Sequence, residues 1–347
     1  RKSPMKRTSL CILFALALSA LIGFAGDTKA PETAFTKGKY IPDIATFLNI
    51  GACSPAGYSW DGKDVYFMSS MSGASQVYRL TEDGWPYQLT TFADGVEFFV
   101  LSYGCTMAMV GASVGGDENA QLYMMDTQTG RLSQMTFNPQ GRYGSATWTR
   151  DDKFVFYTSN EESIKDFFIY RMDLATGIAE KVFGDTAGVR GQNSIADLSV
   201  DGTRMIVSNY TSNVNNDLYF VDFATLKYRQ LTKDKGDVMY GSATLMPDNQ
   251  TIFLTCNDNK DGLSRLAWIR VGSPDVEYVK DQWLDTKWEV DGMGFSRDFK
   301  FQFASLNEDG YSKAHMREFA TNKEVPLPPE QGTYGFGGVD ENDNFIL

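Results

Sequence analysis

Histidine is almost absent from the sequence, since His315 is the only one among 347 residues. A zinc or haem site built from imidazole ligands is therefore excluded, although an all-oxygen calcium site is not. The body of the chain also lacks a basic block, and the formal net charge is −12. Because nucleic-acid binding requires a Lys/Arg surface that neutralises phosphates, we expect no nucleic-acid partner.

Cysteine is scarce, and no C-x-x-C pair is present. Beyond the N-terminal segment the chain has Cys53, Cys105 and Cys256, an odd number that leaves at least one thiol unpaired. Cys105 and Cys256 lie within apolar runs, where a buried thiol behaves as a small hydrophobic group. We interpret both as packing residues, and we predict neither a cofactor nor a metal site.

The first 25 residues have the pattern of a secretory signal peptide. The basic stretch MKRTSL precedes an uncharged apolar run from Cys11 to Ala25, and Gly23 with Ala25 fits a small-x-small cleavage site. Translation would start at Met5, with residues 1–4 as an upstream extension. A membrane anchor is the alternative, but the run is shorter than the roughly 20 apolar residues that cross a bilayer. We therefore expect a periplasmic or secreted protein with no stable membrane insertion after cleavage.

Five interior segments repeat one pattern, in which an Asp-containing turn precedes an apolar-rich strand that ends in small polar residues. The segments are YSWDGKDVYFMSS, WTRDDKFVFYTSN, LSVDGTRMIVSNY, LMPDNQTIFLTCN and FSRDFKFQFASLN, and their turn residues are Asp61, Asp151, Asp201, Asp248 and Asp298. In LSYGCTMAMVGAS, Tyr103-Gly104 takes the place of the Asp-Gly. Gly62 and Gly202 follow their aspartates, as expected for turns that require a positive φ. We interpret these residues as structural turn positions.

Further strands follow each of these turns. The next strand contains a tyrosine at an equivalent position in four units, and a later strand is followed by an apolar residue and a threonine in three units. These positions are Tyr78, Tyr123, Tyr170 and Tyr219, and then Leu89-Thr90, Met135-Thr136 and Leu231-Thr232. The spacing between equivalent turns is 42, 48, 50, 47 and 50 residues. Four short antiparallel strands fill a unit of this size, which is typical of a propeller blade.

The repeat predicts an all-β fold, a β-propeller of six four-stranded antiparallel blades plus the start of a seventh. A helical solenoid can have a similar period, but the turn chemistry and the Tyr, Phe and Val content exclude it. The Asp-Gly turn, the LY..D..TG strand and the closing Leu-Thr resemble the PD40 repeats of TolB-like propellers. They also resemble the N-terminal propeller of prolyl oligopeptidase-type serine peptidases, including acylaminoacyl and dipeptidyl peptidases. The resemblance covers roughly Gly57 to Leu347, and GGDENAQLYMMDTQTG is similar to the second blade of those peptidases.

The stretch GASVGG places Ser113 in a G-x-S-x-G pattern, which in α/β-hydrolases presents a nucleophilic serine. That arrangement needs a helix after the serine, whereas residues 115–119 are typical of a turn before another strand. The sister units carry no such pattern, and a triad would depend on His315 in a distant unit. We interpret Ser113 as a turn residue and predict no catalytic residue in this chain.

Two acidic stretches suggest binding sites. Glu161-Glu162 resembles the paired glutamates with which dipeptidyl peptidase propellers hold a free amine, so both residues are candidates for amine binding. An exposed acidic turn is the alternative, because the longer aromatic-acidic motif of those families is absent. Residues 257–262, NDNKDG, partly match a calcium loop, but no Glu stands at the twelfth position, and we interpret them as a solvated loop.

The domain prediction has three parts: a signal peptide at 1–25, a lead-in segment at 26–56 and a propeller at 57–347 that is incomplete at its C-terminus. Residues 339–347 read VDENDNFIL, an Asp turn and the opening of a seventh unit. In the resembled peptidases an α/β-hydrolase domain with a Ser-Asp-His triad follows the propeller. We therefore expect this chain to be an N-terminal fragment of a longer exported peptidase.

The expected role is a non-catalytic gate that filters peptide substrates for that hydrolase domain. The alternative is a stand-alone TolB-like periplasmic propeller that acts as a protein-binding scaffold. A sugar-processing or lactonase-type propeller enzyme is a third class, and it would need acidic or histidine side chains that converge on the channel.

Overall fold

A computed structural model of the protein describes residues 52–59, 61–185, 188–233, 235–273, 275–280, 283–284, 287–327, 336, 338–340 and 342–346. The predicted signal peptide and most of the predicted lead-in segment lie outside these residues. All regular elements within the described ranges are β-strands, and no helix there is long and apolar enough to cross a membrane.

The strands form six four-stranded antiparallel sheets, each built from four consecutive strands, which confirms the predicted propeller fold. Blade 1 contains β1 (Cys53–Tyr58), β2 (Val65–Ser69), β3 (Gln76–Leu80) and β4 (Pro86–Gln88). Blade 2 contains β5 (Phe98–Leu101), β6 (Met107–Ala112), β7 (Gln121–Asp126) and β8 (Leu132–Gln134). Blade 3 contains β9 (Tyr143–Trp148), β10 (Phe154–Ser159), β11 (Phe168–Asp173) and β12 (Ala179–Phe183).

Blades 4 to 6 repeat the same order of strands. Blade 4 contains β13 (Gln192–Leu198), β14 (Arg204–Ser212), β15 (Asn215–Asp222) and β16 (Lys227–Gln230). Blade 5 contains β17 (Tyr240–Leu245), β18 (Thr251–Cys256), β19 (Arg265–Arg270) and β20 (Glu277–Tyr278). Blade 6 contains β21 (Glu289–Phe295), β22 (Phe301–Glu308), β23 (Tyr311–Glu318) and β24 (Lys323–Val325). A two-stranded sheet of β25 (Gly338–Val339) and β26 (Phe345–Ile346) begins a seventh unit, and β25 lies against β1.

The first strand begins at Cys53, upstream of the boundary at Gly57 that the repeats predict. Its sequence, CSPAGY, lacks the alternation of a strand, and the register against β2 shifts between Pro55 and Gly57. Because β1 is an edge strand of its sheet, a proline without a backbone N–H is tolerated there.

The aspartates of the repeat lie in the turns between the first and second strands of their blades. In blade 1, the Ser59 hydroxyl donates to Asp61 Oδ1 at 2.7 Å, and the Lys63 backbone N–H donates to the same oxygen at 3.3 Å. Equivalent hydroxyl bonds join Thr149 to Asp151, Ser199 to Asp201 and Ser296 to Asp298, while Asp248 accepts from Thr251. The residue after each aspartate has a positive φ, from 53° at Asp152 to 72° at Gly62, which explains the recurrent Asp-Gly.

A buried threonine follows the fourth strand in blades 1, 2 and 4. In blade 1, Thr90 Oγ1 accepts the Val77 backbone N–H at 2.9 Å and donates to Gln76 Oε1 at 2.8 Å. The same bonds recur at Thr136 with Leu122 and Gln121, and at Thr232 with Leu218 and Asp217. The hydroxyl therefore satisfies a buried N–H of the third strand that the short fourth strand leaves without a ladder partner.

Five clusters of buried apolar side chains lie between consecutive blades, from blades 1 and 2 to blades 5 and 6. Between blades 3 and 4, for example, the rings of Phe156 and Phe223 stack with centroids 4.9 Å apart. Since each side chain of this kind contributes roughly 1.5–3 kcal/mol when it is fully buried, the blades are held to one another mainly by these clusters.

Candidate functional site

The first strands of the blades line a central channel, and two cavities lie at its opposite ends. One cavity is lined by the beginnings of β9 and β13, and the other by the ends of the same strands. We call the end with the Asp turns the turn face. The opposite end, with the loops between the second and third strands, is called the loop face.

The loop-face cavity has a volume of 790 Å³. Its walls combine hydroxyl and amide side chains with aromatic rings, and they include Ser145, Gln192, Asn193, Ser194, Phe98 and Tyr210. Glu97 and Arg142 are the charged residues among its lining, one of each sign. The cavity is thus nearly neutral, rich in groups that both donate and accept hydrogen bonds, and suited to an uncharged polar ligand with some apolar surface.

Exposed apolar side chains stand on the loop face, outside the cavity. The loops that join the second and third strands contribute most of them, and the set is Met71, Val114, Phe137, Ile164, Val214 and Tyr311. Ile164 is 85% exposed, and Ile178 on the turn face is 69% exposed, so neither residue serves the core. Five of the six blades therefore present an exposed apolar residue at the loop face, where it is accessible to a partner.

The two candidate amine-binding residues lie in the loop after β10, at the loop face. The Tyr143 hydroxyl donates to Glu161 Oε2 at 2.7 Å. Glu162 accepts the Tyr170 hydroxyl at 2.7 Å and the Lys181 ammonium at 2.6 Å. The hydrogen bond from Lys181, and then the one from Tyr170, lowers the pKa of Glu162. A ligand amine would share Glu162 with Lys181, and the amine-binding role of the pair stays a prediction.

The turn aspartates and the glutamate pair are not brought together, because they lie at opposite ends of the channel. At the turn face, the side-chain hydrogen bond from Lys153, followed by that from Thr149, lowers the pKa of Asp151 to about 2. At Asp201 burial would raise the pKa, but hydrogen bonds from Thr203, Ser199 and Asn249 lower it overall. These carboxylates are charged, locally satisfied groups that hold turns.

The turn-face cavity, of 330 Å³, contains residues that the repeat pattern does not single out. Asp197, Arg150, Arg297 and Tyr103 contribute to its walls. Burial raises the pKa of Asp197 to about 7, although the backbone N–H groups of Leu245 and Leu198 and the charge of Arg150 oppose the shift. Arg150 and Arg297 directly precede their turn aspartates, where Asp61, Asp201 and Asp248 have other residues, and this is the signal from which they could have been found.

Ser113 follows β6 in a hairpin loop of blade 2, and the next described element is the strand β7 rather than a helix. His315 lies in β23 of blade 6, where its ring faces Trp283 with centroids 6.4 Å apart. Ser113 and His315 therefore belong to different blades, and His315 Nδ1 lies 3.4 Å from Glu324 Oε1.

In the described part of the chain, no group of three or more His, Cys, Asp or Glu side chains could hold a metal ion. Cys53, Cys105 and Cys256 are free thiols, the last two buried.

No protein-family profile matches the sequence, and no curated protein matches it either. Solved structures do match. One is a prolyl endopeptidase, from a study of inter-domain dynamics in catalysis and specificity, with 17% identity and a TM-score of 0.68 over 99% of this chain. The match covers 51% of that chain, so this protein spans about half its length.

Two further solved structures share the fold. TolB from Acinetobacter baumannii matches with 17% identity and a TM-score of 0.52, over 96% of this chain and 72% of TolB. An oligogalacturonate lyase in complex with manganese matches with 10% identity and a TM-score of 0.62, over 79% of this chain and 77% of the lyase. At these identities the likeness concerns the fold, and the chain is a β-propeller similar to those of prolyl endopeptidase and TolB, as its repeats predict.

Proposed function

We propose that this chain is the non-catalytic gating domain of an exported prolyl oligopeptidase-type serine peptidase. In this proposal, unfolded peptide segments enter the loop-face cavity and folded proteins are excluded by size. The observation that carries the proposal is the loop-face cavity itself, with its nearly neutral wall of hydroxyl, amide and aromatic side chains.

The chemistry of the wall fits a peptide. A peptide backbone offers one donor and one acceptor per residue, and side chains such as Gln192, Asn193 and Ser194 can pair with both. The rings of Phe98 and Tyr210 add apolar contact area for the side chains of a bound peptide. A volume of 790 Å³ lies within the range of roughly 300–1,000 Å³ that holds small ligands, and far below the volume of a folded domain.

The position of the cavity fits a gate. β1 begins at the loop face and runs towards the turn at Asp61, so the chain enters the propeller at the same face as the cavity. A hydrolase domain joined to the propeller at this face would lie over the cavity. A peptide would then reach the cavity through the gap between the two domains, and a folded protein would be too large to enter that gap. Secretion or export to the periplasm is part of the same proposal and rests on the N-terminal sequence.

Binding of a short fluorescein-labelled peptide, unstructured and uncharged, tests the proposal by fluorescence polarisation. We expect saturable binding that Tyr210→Ala weakens, because Tyr210 lines the cavity. Tyr311→Ala is the matched control, since Tyr311 is exposed on the same face but does not line the cavity. A labelled folded protein should not bind. Absence of peptide binding, or equal effects of the two substitutions, would contradict the proposal.

A protein-binding scaffold of the TolB-like kind is the second candidate, and the exposed apolar residues of the loop face favour it. Site-specific photo-cross-linking in cells distinguishes it, with the cross-linker at position 164 or, as control, at position 178 on the turn face. A discrete cross-linked protein at position 164 alone, combined with no peptide binding, would support the scaffold. Cross-links of equal strength at both positions would exclude a loop-face scaffold.

A further inference from the structure

Three turns from different blades meet across the turn-face end of the channel. Arg150 of blade 3 donates from Nη2 to the backbone carbonyl of Arg297 in blade 6 at 2.7 Å. Arg297 donates from Nη1 to the backbone carbonyl of Tyr103 in blade 2 at 2.8 Å. We call these three residues the clasp.

Both guanidinium groups of the clasp also lie against the Tyr103 ring. The Cζ atom of Arg150 is 5.2 Å from the ring centroid, and that of Arg297 is 4.9 Å from it. The Arg150 Nη1 donates to the Tyr103 hydroxyl at 3.3 Å, and Phe299 packs on Arg150 with 5.6 Å between Cζ and the ring centroid. A planar guanidinium can stack on a ring and donate in its own plane at once, which lysine cannot do.

Two bonds of the clasp, Arg150 to Arg297 and Arg297 to Tyr103, cross the channel, whereas the bond from Arg150 to the Tyr103 hydroxyl joins neighbouring blades. Each blade contacts the next one in sequence, through pairs such as β9 with β13 and β17 with β21. Blade 6 is therefore separated from blades 2 and 3 around the ring, and a bond between Arg297 and Tyr103 spans the opening between them. Other hydrogen bonds of the Asp turns join consecutive blades, for example Asn249 with Asp201, and the Tyr103 and Gly104 backbone N–H groups with Asp152.

We propose that the clasp of Tyr103, Arg150 and Arg297 closes the turn-face end of the channel, so that ligands enter and leave the channel only at the loop face. The bonds from Arg150 to Arg297 and from Arg297 to Tyr103 lie across the opening through which a ligand would pass, and both must break before that end can open. The proposal does not depend on the peptidase assignment, because a closed turn-face end would limit ligand access to the channel in a scaffold protein in the same way.

Cys105 gives a direct readout of the clasp. Its Sγ lies 3.8 Å from Arg297 Nη1 and 3.7 Å from Nη2, and the residue is 4% exposed. The thiol lies against the guanidinium of Arg297 and also donates to the Tyr58 backbone carbonyl at 3.3 Å, and we expect it to become more accessible when the Arg297 side chain leaves. Cys256 in blade 5 is also buried but lies away from the clasp, so it reports general loosening of the propeller.

Alkylation of the two buried thiols by N-ethylmaleimide, followed site by site with mass spectrometry at constant pH, tests the proposal. Cys11 and Cys53 are replaced by serine so that other thiols do not compete. We expect Arg297→Met and Arg150→Met each to raise the alkylation rate of Cys105 by roughly tenfold or more, because loss of a charged hydrogen bond favours the open state. The rate at Cys256 should stay unchanged.

Arg297→Lys keeps the protein testable if the methionine variants fold poorly. Lysine retains the charge but cannot stack and donate as the guanidinium does, so we expect an intermediate acceleration at Cys105. An unchanged Cys105 rate in the folded variants would overturn the proposal. A parallel rise at Cys105 and Cys256 would also overturn it, since the three residues would then only stabilise the fold.

Discussion

Replacing Thr90 with valine removes one buried hydroxyl and little volume. Thr90 is 1% exposed, and its Oγ1 is the acceptor for the Val77 backbone N–H at 2.9 Å. Gln76 Oε1 loses a donor as well, but it keeps the Phe92 backbone N–H at 3.1 Å. A stranded buried N–H costs roughly 1–3 kcal/mol, so we expect the free energy of unfolding to fall by about 2 kcal/mol.

The loss converts to a shift in melting temperature. The entropy of unfolding is roughly 2.1 cal/mol/K per residue, which gives about 0.6 kcal/mol/K for a propeller of about 300 residues and a decrease in Tm of about 3 °C. Differential scanning calorimetry measures the shift. Thr91→Val is the matched control, because Thr91 is the next residue and is exposed, and its effect should stay within about 0.5 kcal/mol. Equal Tm values for the two variants would refute the assignment of the hydroxyl.

Four further predictions concern the turns, the channel and activity. Since the pKa of Asp151 is lowered to about 2, its charged form stabilises the fold above the unfolded pKa, and this contribution is lost as pH falls from about 4 to 2. In Asp151→Asn, the free energy of unfolding, measured in urea, should depend less on pH over that range. An unchanged pH dependence would count against the turn bonds. Since the pKa of Asp197 is raised to about 7, the folded state holds the proton more tightly than the unfolded state, and the free energy of unfolding should decline as pH rises from about 4 to 7. Urea unfolding of Asp197→Asn over the same pH range should lack this decline. Persistence of the decline would exclude Asp197 as its source. Gly202 has a φ of 67°, so Gly202→Ala should lower the free energy of unfolding, measured in urea, by about 1–2 kcal/mol. Gly144 lies outside the left-handed region, so Gly144→Ala should have a smaller effect. The reverse order would show that the turn is not strained. The purified chain should not hydrolyse aminoacyl or prolyl chromogenic substrates, and turnover that Ser113→Ala abolishes would overturn its interpretation as a turn residue.

The blades could be predicted from the sequence because their determinants are local. An aspartate, a residue with positive φ and a nearby hydroxyl define each turn within a few residues, as at Ser59, Asp61 and Gly62. The closing threonine is also readable, although its bonded partner lies 14 residues earlier at Gln76. Blade 3 shows the limit of the pattern, because buried Phe168 and Phe183 lie where blades 1, 2 and 4 have the polar pair, and replacing both partners by apolar side chains costs little.

The sites could not be predicted in the same way, because they depend on contacts across the ring. Arg150 and Arg297 are separated by 147 positions in the chain, and they meet only because the folded propeller brings blades 3 and 6 to opposite sides of one channel. Asp197 is buried beside blade 5, where it accepts the Leu245 backbone N–H, and this burial raises its pKa although the hydrogen bond opposes the shift. Neither relation has a sequence signal beyond an arginine before two of the turn aspartates.

Photo-cross-linking of a bound peptide tests the central claim most directly. A short unstructured peptide with a benzophenone side chain is irradiated with the purified protein, and the attachment sites are mapped by mass spectrometry. We predict attachment to the loop-face cavity, at residues 143–145 and 192–194 where β9 and β13 begin. Attachment at the turn face, around Arg150 and Arg297, or no attachment at all, would contradict it.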